Sequence, residues 1–181
     1  MRRLIVHENM SLDGVVSPLG EWFDPTASSE ELTAFGHELD RGSDTLLLGR
    51  VTYEEFASFW PTYTEDTTGV AAYLDAVEKV VASRTLTEVT WQHTRLLEGA
   101  AIDAVRALKR ADGLDITVTG SVTLVHALLE ADLVDVVRVF VYTTAQGEGR
   151  RLFPGARRDL RLTDSRTFAP GVVYAEYALG G

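Results

Sequence analysis

The sequence contains no cysteine, only two lysines among its 17 basic residues, and no long apolar run. Without cysteine it can form no disulfide, no thiolate metal site and no cysteine nucleophile. The longest uninterrupted apolar run is the five residues 70–74, whereas a helix that spans a bilayer needs about 20. The N-terminal segment offers only the apolar residues 4–6 before His7 and Glu8, far short of a signal-peptide core. We therefore expect a cytoplasmic protein without a membrane-spanning segment.

Positive charge is also scarce, because 27 acidic residues face 17 basic ones and give a net charge of −10 at pH 7. A surface of this charge repels phosphate backbones and anionic lipids, which disfavours a nucleic-acid or membrane-surface partner. The apolar share of 45% and the charged share of 24% are ordinary for a globular protein. No repeat or linker divides the chain, so we expect one soluble domain over residues 1–181.

Helical and strand patterns alternate along most of the chain and then give way to strands. Strands are predicted at 4–6, 45–48, 79–82 and 116–119, with helices from Ser28, from Thr52, over 70–77 and from Ser121. Antiparallel strands are predicted within 134–142, 160–168 and 172–177. Turn residues separate these elements, and they include Pro18, Gly20, Pro25, Pro170 and Gly171. The pattern predicts an α/β fold with a mixed, mostly parallel central sheet, flanking helices and antiparallel C-terminal strands.

Two segments repeat one arrangement, in which an apolar strand leads through a glycine into a helix. The first contains Gly49 and Arg50, and the second contains Gly120 and Ser121. A helix N-terminus presents free backbone N–H groups and a positive dipole end, and a glycine lets a phosphate approach the backbone closely. Each segment alone is also an ordinary structural feature of an α/β protein, but the pair together predicts a site for one pyrophosphate.

Other candidate phosphate ligands lie beside these segments. Arg50 adds a charge next to the first helix start, and Ser83 and Arg84 follow the strand 79–82 with a hydroxyl and a guanidinium. The alternative is compositional, because 15 of the 17 basic residues are arginines. Thr52 and Ser121 also have a structural interpretation, since both residue types commonly cap helices.

Asp13 is the candidate catalytic carboxylate, because it follows the first strand and is expected to face the cleft between the two helix starts. Its alternative is an ordinary Asp-Gly turn with Gly14. Glu30 and Glu31 fall in the first turn of a helix, where acidic residues suit the dipole. The four histidines lack metal-ligand spacing, and no metal is predicted.

Six short segments resemble the dihydrofolate-reductase-like superfamily, in the branch shared with the reductase domain of bacterial riboflavin biosynthesis. They occur in the order of that family and extend over nearly the whole chain, at 11–14, 49–54, 81–84, 119–124, 132–135 and 147–153.

The resemblance implies a cleft that binds NADPH. It implies that the cofactor-binding residues are Gly49, Arg50 and Thr52 at the phosphates, Ser83 and Arg84 at the adenosine 2′-phosphate, and Gly120, Ser121, Val122, Thr123 and Leu124 at the pyrophosphate and ribose. The loop 10–14 would border the nicotinamide. The carboxylate that dihydrofolate reductases use to bind a pterin has candidates only in Glu30 and Glu31.

The leading hypothesis is an NADPH-dependent reductase that transfers a hydride to a small heterocyclic or carbonyl/imine substrate, riboflavin-pathway or pterin-like, with Asp13 relaying or positioning a proton. The alternative is a non-catalytic nucleotide- or small-ligand-binding protein on the same fold. A homodimer through the C-terminal strands is also expected, because these strands are apolar on both faces. Its alternative is that helices of the same chain cover them.

Overall fold

The computed structural model of the protein describes residues 1–19, 22–24, 26, 28–153, 155, 157–169 and 171–180. Gly20, Pro25 and Pro170, for which turns are predicted, lie outside these ranges. In chain order the described elements are β1 Leu4–Ser11, β2 Val15–Ser17, α1 Glu30–Asp40, β3 Ser43–Gly49, α2 Arg50–Phe59, a 3₁₀ helix Trp60–Thr62, α3 Val70–Ala76, β4 Glu78–Ala82, β5 Thr94–Leu96, α4 Ala101–Arg110, β6 Asp115–Val118, α5 Val122–Glu130, β7 Val136–Tyr142, β8 Arg150–Arg151, β9 Leu160–Phe168 and β10 Val172–Leu179. Within the described residues, no helix combines the length and apolar character that crossing a membrane needs.

Eight of the strands form one sheet in the order β5-β4-β3-β6-β1-β7-β10-β9, and β2 pairs with β8 apart from it. The six strands from β5 to β7 are parallel, whereas β10 is antiparallel to both β7 and β9. The predicted mixed and mostly parallel α/β sheet is therefore confirmed. The exception is β7, which was expected to be antiparallel but runs parallel to its neighbour β1.

The central strands are buried on both faces, which explains why their sequences are continuous apolar runs. In β3, Leu46 and Leu48 pack on one face with Tyr53 of α2 and Trp60 of the 3₁₀ helix. Leu47 points to the other face, where the core includes apolar residues of α4 and α5. Helices thus cover both faces and leave the ends of the strands open between them.

The boundaries differ from the sequence prediction at three elements. Strand β1 continues to Ser11 because it pairs with β7 over its whole second half. Helix α1 is capped by Ser29, whose hydroxyl accepts from the Leu32 N–H at 3.2 Å, and not by Ser28. Helix α2 begins at Arg50 with Gly49 as its N-cap, two residues before the predicted start at Thr52.

The structure shows that helices of the same chain cover β7, which was the alternative to cover by a second subunit. The residues of β7 from Val136 to Phe140 are buried within one chain, because its two faces meet the helices and β10 supplies the next strand. The dimer itself stays a prediction, for which the exposed edge strand β9 offers an unpaired side.

Candidate functional site

A cleft with a volume of about 1230 Å³ lies at the carboxyl ends of the parallel strands. Ligands of open α/β sheets bind at this edge, because the turns from strand to helix meet there. Sites for single small molecules have volumes of roughly 300–1,000 Å³, so this cleft has space for two ligands side by side. We call its two parts the glycine end, lined by Gly49, Gly120 and Arg84, and the aromatic end, lined by Phe56, Trp60, Tyr73, Phe140 and Tyr142.

The two strand-glycine-helix segments meet at the glycine end and are hydrogen-bonded to each other. The Gly49 N–H donates to Ser121 Oγ at 2.8 Å, and the Ser121 N–H donates to Thr52 Oγ1 at 2.8 Å. A Cβ at residue 120 would lie 3.0 Å from the Thr52 side chain, and this residue has a φ of +55°. Both the close approach and the left-handed backbone therefore favour glycine at position 120.

These cross-links give Thr52 and Ser121 a role that differs from the predicted side-chain caps. Ser121 is the N-cap residue of α5, as predicted, but it has a φ of +48° and its side chain makes no capping bond. The hydroxyls of Thr52 and Ser121 hold the two turns together and do not cap the helices. The first backbone N–H groups of α2 and α5 therefore have no side-chain cap and can donate to a ligand. Two positive dipole ends thus face one space.

Arginines surround this end of the cleft. Arg50 forms an ion pair with Glu54 at 2.7 Å on the exposed side of α2. Arg150 donates to Thr123 Oγ1 at 3.0 Å in the first turn of α5. Arg84 follows β4, and within the described part of the chain its guanidinium makes no ion pair or hydrogen bond. It is the charge best placed to meet an anion.

All ten residues predicted to bind the cofactor line the cleft, and their role in binding stays a prediction. The Ser83 hydroxyl also accepts from the N–H groups of Thr85, at 3.1 Å, and Leu86, at 2.9 Å, and so shapes the turn that carries Arg84. Arg150 lines the cleft too, but no role was predicted for it. The signal in the sequence that could have identified Arg150 is its position directly after the Gly147-Glu148-Gly149 segment.

Asp13 has a different position from the one predicted. It is absent from the described residues that line the cleft, and its carboxylate accepts from the N–H groups of Gln146, at 2.9 Å, and Gly147, at 2.8 Å. The hydroxyl of Ser11 and these two N–H groups hold the pKa of Asp13 well below its usual range. The carboxylate is therefore ionised at neutral pH and accepts hydrogen bonds from a second loop, which does not suit a proton relay.

Glu8 is the buried carboxyl of this cleft, and the sequence prediction missed it. It is 2% exposed, lines the cleft, and its Oε1 has no hydrogen-bond partner among the residues that the structure describes. Burial raises the pKa of Glu8 well above its usual range, although the N–H of Gly120 partly opposes the shift. The signal in the sequence was a charged residue within a strand, shortly after the apolar residues 4–6.

The aromatic end is closed by α1, the 3₁₀ helix and α3. Its floor includes His7, which stacks on Phe140 with ring centroids 5.1 Å apart, and burial followed by the charge of Arg138 lowers the pKa of His7 to about 4. Glu30 and Glu31 are exposed and do not line the cleft, so the expected pterin carboxylate is not among them. The absence of a metal stays a prediction, although no metal-ligating cluster occurs among the described residues.

Asp40, the last residue of α1, is the carboxylate that lines the aromatic end. Burial raises the pKa of Asp40 to about 6, and the charges of His37 and Arg138 oppose the shift. The unfolded chain has a value near 3.9, so between about pH 4 and pH 6 the folded state binds more protons than the unfolded state. Stability is therefore lost as the pH rises through this window and stays lower above it.

We expect Asp40→Asn to stabilise the protein at about pH 7.5 by roughly 1–3 kcal/mol, because it removes a buried charge. This corresponds to a rise in Tm of about 3–8 °C. The gain should largely disappear at about pH 4.5, where the folded carboxyl is already protonated. Thermal unfolding at both pH values measures the difference, with the exposed Glu38→Gln on the same helix as control. An equal shift at both pH values would contradict the burial of this charge.

Together, the fold and the cleft define a dihydrofolate-reductase-like α/β protein. A family model described as the RibD C-terminal domain matches residues 2–174, and the chain belongs to that family. The sequence is also similar to the protein YyaP of Bacillus subtilis (strain 168), which is itself uncharacterised. The two are 26% identical over 186 residues, which cover 99% of this chain and 96% of YyaP.

Solved structures share the same fold. A protein of Shewanella sp. PV-4, whose name refers to riboflavin biosynthesis, has a TM-score of 0.75 at 20% identity, with 99% of both chains covered. A diaminohydroxyphosphoribosylaminopyrimidine deaminase/5-amino-6-(5-phosphoribosylamino)uracil reductase of Thermotoga maritima has a TM-score of 0.68 at 17% identity, with 99% of this chain and 57% of that one covered. A pyrimidine reductase-like protein of Corynebacterium diphtheriae has a TM-score of 0.66 at 12% identity, with 99% and 92% covered.

Proposed function

We propose that the protein is an NADPH-dependent reductase that transfers a hydride to a small heterocyclic or carbonyl/imine substrate. The observation that carries the proposal is the pair of cross-bonded helix N-termini at the glycine end, with Arg84 at the end of the next strand. This arrangement offers N–H donors to a pyrophosphate and a separate cation to a further phosphate. Membership of a reductase-domain family supports the same conclusion.

The residues of the cleft fit a dinucleotide. Gly120 keeps the backbone of the two turns open where a side chain would meet Thr52 at 3.0 Å. Glu8 lies next to this turn, but burial raises its pKa well above its usual range, which favours the neutral carboxyl and so weakens any repulsion of a phosphate. The preference for NADPH over NADH follows from charge, since a 2′-phosphate in a protein of net charge −10 needs a local cation.

When bound, the cofactor supplies a hydride from its nicotinamide ring. The residues of the chain bind and orient the two reactants, and His7, Asn9 and Phe140 form part of the cleft wall. The neutral ring of His7 keeps this wall uncharged. A C=N or C=O acceptor also takes up a proton, which we assign to water in the cleft because Asp13 is ionised and lies elsewhere.

Titration with NADPH, followed by tryptophan fluorescence, tests the proposal, because Trp60 lines the cleft. We expect saturable quenching by NADPH and weaker quenching by NADH. NADPH oxidation is then screened over flavin-precursor, pterin and small carbonyl substrates. Turnover of one of them identifies an enzyme, whereas binding without any turnover identifies the alternative, a ligand-binding protein on the reductase fold. The absence of saturable NADPH binding would refute the proposed cofactor and with it the proposed reductase.

A further inference from the structure

The arginines that line the cleft all lie at one end of it. The arginines that line it are Arg50, Arg84 and Arg150, and all three lie at strand ends or helix starts of the glycine end. The residues outside the described ranges include no lysine or arginine, so every lysine and arginine of the chain has a described position. None of them lines the aromatic end.

The aromatic end carries carboxylates instead. Asp40 lines it and is ionised above about pH 6, and Asp24 lies in the segment next to Phe23 at the mouth of the cleft. Tyr73 lines the cleft together with Asp40. Burial, followed by the charge of Asp40, raises the pKa of Tyr73, which favours its neutral hydroxyl. His37 donates from Nε2 to the Thr68 carbonyl at 2.8 Å, so this ring nitrogen is already used.

Arg138, the arginine whose charge acts on Asp40, is not available to a ligand. Arg138 forms a buried ion pair with Glu176 at 2.8 Å, and it is not among the described residues that line the cleft. Arg166 lies over the ring of Phe35 and pairs with Glu38 at 3.5 Å, also outside the lining. A phosphate at the aromatic end would therefore meet carboxylates and aromatic rings without a lysine or arginine to compensate its charge.

We infer that the acceptor of this reductase is a flat heterocycle without a phosphate group, whose polar edge faces Asp40 and Tyr73. The inference rests on the proposed function, because it assigns the glycine end to the cofactor and the aromatic end to the acceptor. The Thermotoga maritima relative, by contrast, is named for a phosphoribosylamino substrate. Stacking on the aromatic side chains supplies binding energy that does not depend on charge.

The test compares matched pairs that differ by one phosphate, namely uridine and UMP, guanosine and GMP, and riboflavin and FMN. Each is titrated by calorimetry into the full chain saturated with NADP⁺ at about pH 7.5. We expect the unphosphorylated member of at least one pair to bind roughly tenfold more tightly than its phosphorylated partner, because a carboxylate and a phosphate repel each other at short range. Asp40→Asn should reduce this ratio several-fold, and Glu38→Gln should leave it unchanged.

Equal or tighter binding of the phosphorylated members overturns the inference. So does a ratio that Asp40→Asn does not change, and so does the failure of all three unphosphorylated ligands to bind. NADP⁺ is titrated first and on its own, so a failure of the proposed function is recognised separately from a failure of the acceptor assignment.

Discussion

Replacing Arg84 by alanine is expected to weaken NADPH binding by roughly 10- to 150-fold and to leave NADH binding almost unchanged. A charge-assisted hydrogen bond between a guanidinium and a phosphate contributes about 1.5–3 kcal/mol, and only NADPH carries the 2′-phosphate. Arg84 makes no ion pair within the described residues, so its whole charge is available to the ligand. Fluorescence titration of both cofactors measures the two losses.

Arg95→Ala is the matched control for this variant. Arg95 lies on the neighbouring strand β5, pairs with Glu78 at 2.6 Å and does not line the cleft. Arg95→Ala removes the same single positive charge as Arg84→Ala, so a general electrostatic effect would appear in both variants. If Arg84→Ala lowers the affinity for NADPH and for NADH equally, Arg84 does not bind the 2′-phosphate.

Gly120→Ala is expected to reduce the affinity for either cofactor by roughly 100-fold or more. The new Cβ would lie 3.0 Å from the Thr52 side chain, which accepts the Ser121 N–H, and therefore pushes the two turns apart. Two charge-assisted bonds to the pyrophosphate, each contributing about 1.5–3 kcal/mol, are lost with that displacement. Calorimetry with NADPH and NADH measures the effect.

Gly147→Ala is the control that distinguishes the effect of a Cβ contact from the effect of backbone strain. Gly147 has a φ of +82°, and a Cβ there would meet nothing within 4 Å. In both variants the alanine adopts a left-handed backbone conformation, which costs about 1–2 kcal/mol of stability. Only Gly120→Ala is expected to lose the cofactor. Similar cofactor losses in both would mean that backbone strain, and not the cross-bonded turns, controls the site.

The local part of the glycine end could be predicted from the sequence, but its tertiary part could not. Gly49 and Gly120 stand out because strand, glycine and helix follow one another within a few residues. The hydroxyls of Thr52 and Ser121 were assigned to helix capping, the usual local use of these residue types. Each instead accepts an N–H from the opposite turn, 69 or 72 residues away, and no local pattern contains that information.

The carboxylates show the same limit. The expectation for Asp13 failed because its partners are backbone N–H groups of residues 146 and 147, which have no signature in the sequence. Glu8 and Asp40 line the cleft only because β1 pairs with β7 over its second half and α1 ends against α3. The sequence predicted that the sheet is mostly parallel. It did not predict that β6 is inserted between β3 and β1, because this strand order depends on the packing of the whole chain.

That insertion determines when the cleft can exist during folding. Strand β6 separates β1 from β3, although it follows both of them in the chain by many residues. When only the first half of the chain has been synthesised, β1 and β3 lack the strand that lies between them. The turn after β3 also lacks its partner Ser121. Such late, long-range pairing slows folding and leaves strand edges open for longer. The cross-bonded turns of the glycine end can therefore form only after β6 and Ser121 have been synthesised.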